Sequence, residues 1–167
     1  PYFVRIVDAV RQIYGEGFIP LHRPVFEGNE KKYLIDCIDS NFVSTAGRKV
    51  EEFENLIASF VGSKFAIATS SGTTALHTAL LVAGVASNDE VITQAVTFVA
   101  TCNAIAYCGA KPVFVDVDKD TMGLSPCSLL SFIEKNVEIK NDRPINKNTG
   151  RVVSACVPMH TYGMPCR

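Results

Sequence analysis

Residues 66–84 read AIATSSGTTALHTALLVAG. An apolar run stops at Ser70, Ser71, Gly72, Thr73 and Thr74, and a helix-like pattern then runs to Gly84. A single Ser or Thr is enough to cap a helix, so a cluster of small residues at the junction asks for a further reason. A helix N-terminus presents unpaired N–H groups and the positive end of the helix dipole, both suited to a phosphate. Gly72 lets the backbone approach a ligand closely, and the hydroxyls of Ser71, Thr73 and Thr74 add donors. Plain capping accounts for an isolated Ser-Gly-Thr; clustering at a strand-to-helix switch favours a phosphate cradle. Neither G-x-x-x-x-G-K-S/T nor G-x-G-x-x-G occurs, which points away from ATP and NAD.

The rhythm around this junction sets the fold. Residues 64–69 (KFAIAT), 89–94 (DEVITQ), 111–118 (KPVFVDVD) and 152–160 (VVSACVPMH) read as strands, the last of them buried. Helical patterns separate them: residues 73–84, residues 97–109 with Thr97 as cap, and residues 125–136 with Ser125 as cap and Pro126 at the first position. Residues 138–151 form a polar connector with a hairpin-like Asn-Thr-Gly. Strands apolar on both faces and alternating with helices predict a mainly parallel, helix-covered α/β sheet. The segment before it, residues 1–62, is mainly helical. Phe3, Ile6, Val7, Val10 and Ile13 share a helix face, as do Tyr33, Leu34, Cys37 and Ile38 behind an Asn29 cap. Val50, Phe53, Leu56, Ile57 and Phe60 line a third helix closed by Gly62, and residues 41–47 (NFVSTAG) are a loop of small polar residues. The expected division is therefore 1–62 and 63–167.

Composition narrows the class. The chain has 167 residues, 47% hydrophobic and 20% charged, with net charge −1. That is a globular composition with no electrostatic footprint for nucleic acid or a membrane surface. Arg5, Asp8 and Arg11 interrupt the N-terminal apolar pattern, so it is not a signal peptide. The six cysteines, Cys37, Cys102, Cys108, Cys127, Cys156 and Cys166, have no CxxC pair and no metal-ligand spacing with histidine. Reduced, buried thiols in a cytoplasmic protein are expected, and no metal. A start at Pro1 and a stop soon after the last strand suggest a fragment.

Ligands of open α/β sheets bind at the carboxyl ends of strands, and two further strand-to-loop junctions lie there. Phe98, next to Thr97, either stacks on a flat heteroaromatic ring or fills the core beneath its helix. His160 and Tyr162 sit in a Gly- and Pro-containing loop, where His160 either meets substrate or bonds to backbone. His77 lies within a helix and reads as packed. Asp116 and Asp118 read as a solvated loop start rather than a metal site.

Residues 28–62, 68–118 and 152–165, taken in order, resemble the DegT/DnrJ/EryC1/StrS sugar aminotransferases, which are pyridoxal-phosphate (PLP) enzymes of fold type I, the aspartate aminotransferase fold. The resemblance runs from about Phe18 to Arg167. The N-terminal helix, LHRPVFEGNEKKY and ACVPMHTYG look closest to the members acting on UDP-linked 4-keto sugars of bacillosamine or legionaminic acid type. It implies the first part of the PLP-binding large domain, with Ser71, Gly72, Thr73 and Thr74 on the cofactor phosphate and Phe98 on the pyridine ring. It further implies Ser44, Thr45, Gly47, Thr97 and His160 near the substrate, with residues 41–47 across a homodimer interface. The implied reaction moves an amino group from glutamate to the 4-keto group of a UDP- or dTDP-linked deoxysugar.

The family's Schiff-base lysine and its acidic partner for the pyridine nitrogen are expected in segments following Arg167, so the chain alone is not expected to turn over. Lys64 and Lys111 precede strands and so lie at the wrong strand ends. Two alternatives stay open at this point: a pyridoxamine-phosphate-dependent sugar 3-dehydratase of the same family, and a noncatalytic phosphate-binding or regulatory module.

Overall fold

The computed structural model describes residues 2–20 and 22–167; Pro1 and Leu21, each part of a stretch read above, lie outside the described residues. The chain divides into two compact units, Pro1–Ala66 and Ile67–Arg167.

The first unit is helical: α1 (Tyr2–Tyr14), α2 (Glu30–Asp39) and α3 (Arg48–Val61), none with a buried residue. Gly62 ends α3 in the left-handed region at φ 70, its amide bonding Ser59 O while Ser63 N reaches Ala58 O. That paired closure needs a residue tolerant of positive φ, which explains the glycine. Asn29 holds the cap position of α2, but its φ −92 and ψ 10 leave its side chain without a capping bond. The Glu30 carboxylate accepts the Gly28 amide at 2.9 Å instead. Lys49 links α3 to α2, its ammonium 4.3 Å from the Tyr33 ring centroid and 2.7 Å from Glu52.

The second unit is the α/β layer. It runs α4 (Gly72–Val82), β1 (Glu90–Gln94), α5 (Val99–Tyr107), β2 (Lys111–Val115), α6 (Pro126–Asn136), β3 (Val137–Lys140), β4 (Arg143–Asn146) and β5 (Val153–Val157). A 3-10 turn, Thr161–Gly163, follows. β1 lies between β2 and β5, parallel to both. Alternation along β1 builds a core on each face. Val91 packs with Leu80 of α4 and Ala104 and Ile105 of α5, while Ile92 packs with Val115, Leu124 and, from α6, Leu129 and Phe132. The helices thus cover both faces, as the sequence pattern predicts, and β1 is buried along its whole length.

At the amino edge of the sheet, the buried Glu90 accepts from Asn146 Nδ2 at 2.7 Å and Thr149 Oγ1 at 2.8 Å, with Arg151 at 3.9 Å. These contacts fasten the β3–β4 hairpin to the central strand.

Several expectations are corrected. Residues 64–69 belong to no strand, because the ladder of β2, β1 and β5 does not extend to them. β5 is only half-buried, with Cys156 exposed, and β2 exposes Phe114. The polar connector holds a true hairpin whose two-residue turn, Asn141 and Asp142, takes positive φ at both positions. The Asn-Thr-Gly segment adds a bridge between Ile145 and Val152. Among the cysteines only Cys108 is buried, so most thiols are not core packing. Phe98, not Thr97, holds the cap position of α5.

Candidate functional site at the carboxyl edge of the sheet

The ends of α4 and α5 fix which elements share an edge. Val85, just past α4, packs with Cys108 and Ala110, just past α5, and Asn88 N donates to Gly109 O at 2.9 Å. The two helices therefore end side by side, and their N-termini lie together at the opposite edge. That edge is also where β1 ends at Gln94 and the parallel β5 leads into His160. Three segments, residues 69–74 before α4, 95–98 after β1 and 158–163 after β5, thus face the same side of the second unit. Lys111 stands at the other edge, opposite Glu90 in register.

Ser71 is the N-cap of α4, with extended φ −163 and ψ 162. Its hydroxyl accepts from Thr74 N at 3.2 Å, and Thr74 Oγ1 accepts from Ser71 N at 3.1 Å and donates to Ser71 O at 2.8 Å. This reciprocal box fixes the helix start. It also commits the Thr74 hydroxyl proton to the protein. The amides of Gly72 and Thr73 have no acceptor among the described residues, as the first turn of a helix leaves them. Gly72 carries the decisive detail. Its φ is not positive, and a Cβ built on it meets nothing within 4 Å. Neither backbone conformation nor packing calls for glycine there. An open approach to two free amides fits a phosphate from outside the chain.

Phe98 is 77% exposed, so it is not a core residue and its ring is free to stack. Thr97 Oγ1 lies 2.8 Å from Thr101 Oγ1, bracing the first turn of α5. His160 is exposed, and its Nδ1 accepts from Cys166 N at 3.0 Å. That bond places the imidazole proton on Nε2, the nitrogen left free. Tyr162 is fully exposed with φ 52, an unusual conformation for a bulky residue. His77 packs edge-on against Tyr107, ring centroids 5.8 Å apart. Asp116 accepts from Val117 N, and Asp118 and Asp120 pair with Arg167.

Ser44, Thr45 and Gly47 lie in the loop between α2 and α3 of the first unit. Ser44 Oγ accepts from Ala46 N at 3.4 Å, and a Cβ on the buried Gly47 would stand 3.3 Å from the carbonyl oxygens of Phe42 and Ser44. Close packing therefore explains that glycine.

Sequence reasoning missed Gln94. It is fully buried, and its amide bonds all three loops after β1, β2 and β5. A polar residue where the strand passes into its loop was the available signal.

Comparison with known proteins gives concordant matches. Over 148 residues the chain is 40% identical to GDP-perosamine synthase of Vibrio cholerae, covering 89% of this chain and 36% of that protein. It is 36% identical over 149 residues to the putative pyridoxal phosphate-dependent aminotransferase EpsN of Bacillus subtilis, again 89% of this chain and 36% of the relative. Among solved structures, the PMP form of a putative sugar aminotransferase from Streptococcus pneumoniae superposes with a TM-score of 0.70 at 26% identity, covering 89% of this chain and 33% of that one. The chain thus spans about a third of the length of these relatives. The model of the DegT/DnrJ/EryC1/StrS aminotransferase family matches residues 24–167, and the chain belongs to that family.

Proposed function

We propose that the protein bearing this chain is a PLP-dependent nucleotide-sugar aminotransferase that moves an amino group from glutamate to the 4-keto group of a nucleotide-linked deoxysugar. The observation that carries the reading is Gly72: an exposed helix start with two free amides and a glycine that the fold itself does not require. Membership of the family supports the cofactor and the reaction class.

When bound, the pyridine ring of the cofactor supplies the electron sink that lets an amino group move between carbonyl carbons. The chain's own residues hold and orient. Gly72 and Thr73 amides, with the Thr73 hydroxyl, hold the phosphate, while Ser71 and Thr74 keep the helix start rigid through their reciprocal bonds. Phe98 offers an exposed ring to stack on the pyridine face. His160, held by Cys166 N, donates from Nε2 to a sugar oxygen. Thr97, and the Ser44, Thr45 and Gly47 loop of a second copy in a cytoplasmic homodimer, complete the substrate side. These last roles rest on the family resemblance.

The resemblance favours a UDP- or dTDP-linked sugar, and similarity to GDP-perosamine synthases adds a GDP-linked one to the set. The test incubates the whole protein that bears this chain, which the family resemblance expects to supply the Schiff-base lysine, with PLP, glutamate and each of the three nucleotide 4-keto-6-deoxysugars. The expected result is amino sugar and 2-oxoglutarate in equal amounts with one nucleotide preferred. No 2-oxoglutarate with any of them overturns the proposal.

A further inference from the structure

Gln94 closes β1 and has no exposed surface. The two N–H groups of its Nε2 are shared among Val96 O at 2.9 Å, Met122 O at 3.1 Å and Thr161 Oγ1 at 3.1 Å, and its Oε1 accepts from Met159 N at 3.1 Å. Thr161 Oγ1 in turn donates to Met122 O at 2.7 Å. One amide therefore ties three chain segments. The first, after β1, carries Phe98; the second follows β2; the third, after β5, carries His160 and Tyr162. Met122 (φ 55) and Tyr162 (φ 52) both sit in the left-handed region, and such conformations persist only where the surroundings over-determine them. Met122 is gripped directly, and Tyr162 follows the gripped Thr161. An apolar side chain of similar length would fill the same space but leave the Met159 amide and the Val96 carbonyl without this partner, and Met122 O with Thr161 Oγ1 alone.

We propose that Gln94 is a positioning residue that sets Phe98 and residues 160–162 on the sheet edge as a single unit. None of its partners among the described residues lies in residues 69–74, so the phosphate cradle at α4 stands apart from it. Substrate recognition then depends on Gln94 while retention of the cofactor phosphate does not; this functional half rests on the reading under Proposed function.

The test uses Gln94→Met, which keeps length and removes every hydrogen bond, together with the milder Thr161→Val and its conservative control Thr161→Ser. Hydrogen exchange is read at the amides of Thr97, Gly123, Met159 and Gly163, with the Asn146 amide, at the far edge, as reference. The expected result for Gln94→Met is faster exchange at all four, by about tenfold at Met159, which loses its acceptor, with Asn146 unchanged. Thr161→Val shows the same pattern more weakly, and Thr161→Ser restores wild-type exchange. In the whole protein that bears this chain, KM for the sugar rises about tenfold while the dissociation constant for inorganic phosphate, which meets the α4 amides but not the Phe98 ring, holds within about twofold. Acceleration confined to one loop, or unchanged exchange in the Gln94 and Thr161 variants, overturns the proposal. So does a parallel loss of sugar and inorganic phosphate affinity. Should Gln94→Met not fold, the Thr161 pair carries the same comparison. Should the wild-type protein not retain pyridoxamine phosphate, the reading under Proposed function fails, and the exchange pattern still decides whether Gln94 joins the loops.

Discussion

Replacing Gly72 by alanine separates the two explanations of that residue with effects of opposite sign. Its φ is not positive, and an added Cβ meets nothing within 4 Å. The substitution therefore introduces no clash and no backbone strain, and it reduces the freedom of the unfolded chain. Gly→Ala at a compatible position stabilises by about 0.4–1 kcal/mol. For a chain of this size that raises Tm by roughly 1–4 °C. The same methyl group occupies the open approach to the Gly72 and Thr73 amides. A ligand oxygen forced back from one of them loses a charge-assisted hydrogen bond of about 1.5–3 kcal/mol, so phosphate affinity falls about tenfold or more. Differential scanning calorimetry reads the first effect, and titration with pyridoxamine phosphate reads the second. A lowered Tm would mean that the fold needs this glycine. Unchanged affinity would remove the cradle.

Three further outcomes follow from the packing. Ser71→Ala removes the acceptor for Thr74 N and half of the capping box, and thermal unfolding should register a loss of about 1 kcal/mol. Glu90→Ala strands Asn146 Nδ2 and Thr149 Oγ1 beneath the hairpin; urea unfolding should show about 2–4 kcal/mol lost, whereas a change near zero would mean that solvent replaces the carboxylate. Burial pushes the Cys108 thiol above its ordinary value. Its folded form thus keeps the proton longer than the unfolded chain does, and its contribution, complete below the unfolded thiol's pKa, is lost as pH rises through and past it. The stability difference between wild type and Cys108→Ala, followed by denaturation from neutral to alkaline pH, should shrink in that direction.

Local chemistry made the helices legible. Ser125 with Pro126, Gly62, and the Ser71 cluster each mark an end through groups within a few residues of it, and the structure places α6, α3 and α4 accordingly. The parallel sheet was legible because β1 is apolar on both faces, as a strand between two helical layers must be. Residues 64–69 have the same composition but no place in the ladder, because strand formation depends on a partner distant in sequence. Asn141 and Asp142 carried a hairpin signal that the surrounding polar residues concealed. At the site, the cradle was readable from hydroxyls and a glycine at a helix start. Their division of labour was not: that Thr74 spends its proton on Ser71 O depends on geometry alone. Phe98 stayed open between stacking and core in the sequence, and its ring is exposed. Gln94 gave almost no sequence signal, because its partners lie on loops as much as 67 positions away.

The most direct test of the central claim is a nitrogen-15 NMR titration of the protein with pyridoxamine phosphate, run beside pyridoxamine without its phosphate. The account predicts that the Gly72 and Thr73 amides shift most and only with the phosphorylated compound. Equal shifts with both compounds, or the largest shifts outside residues 69–74, would contradict it.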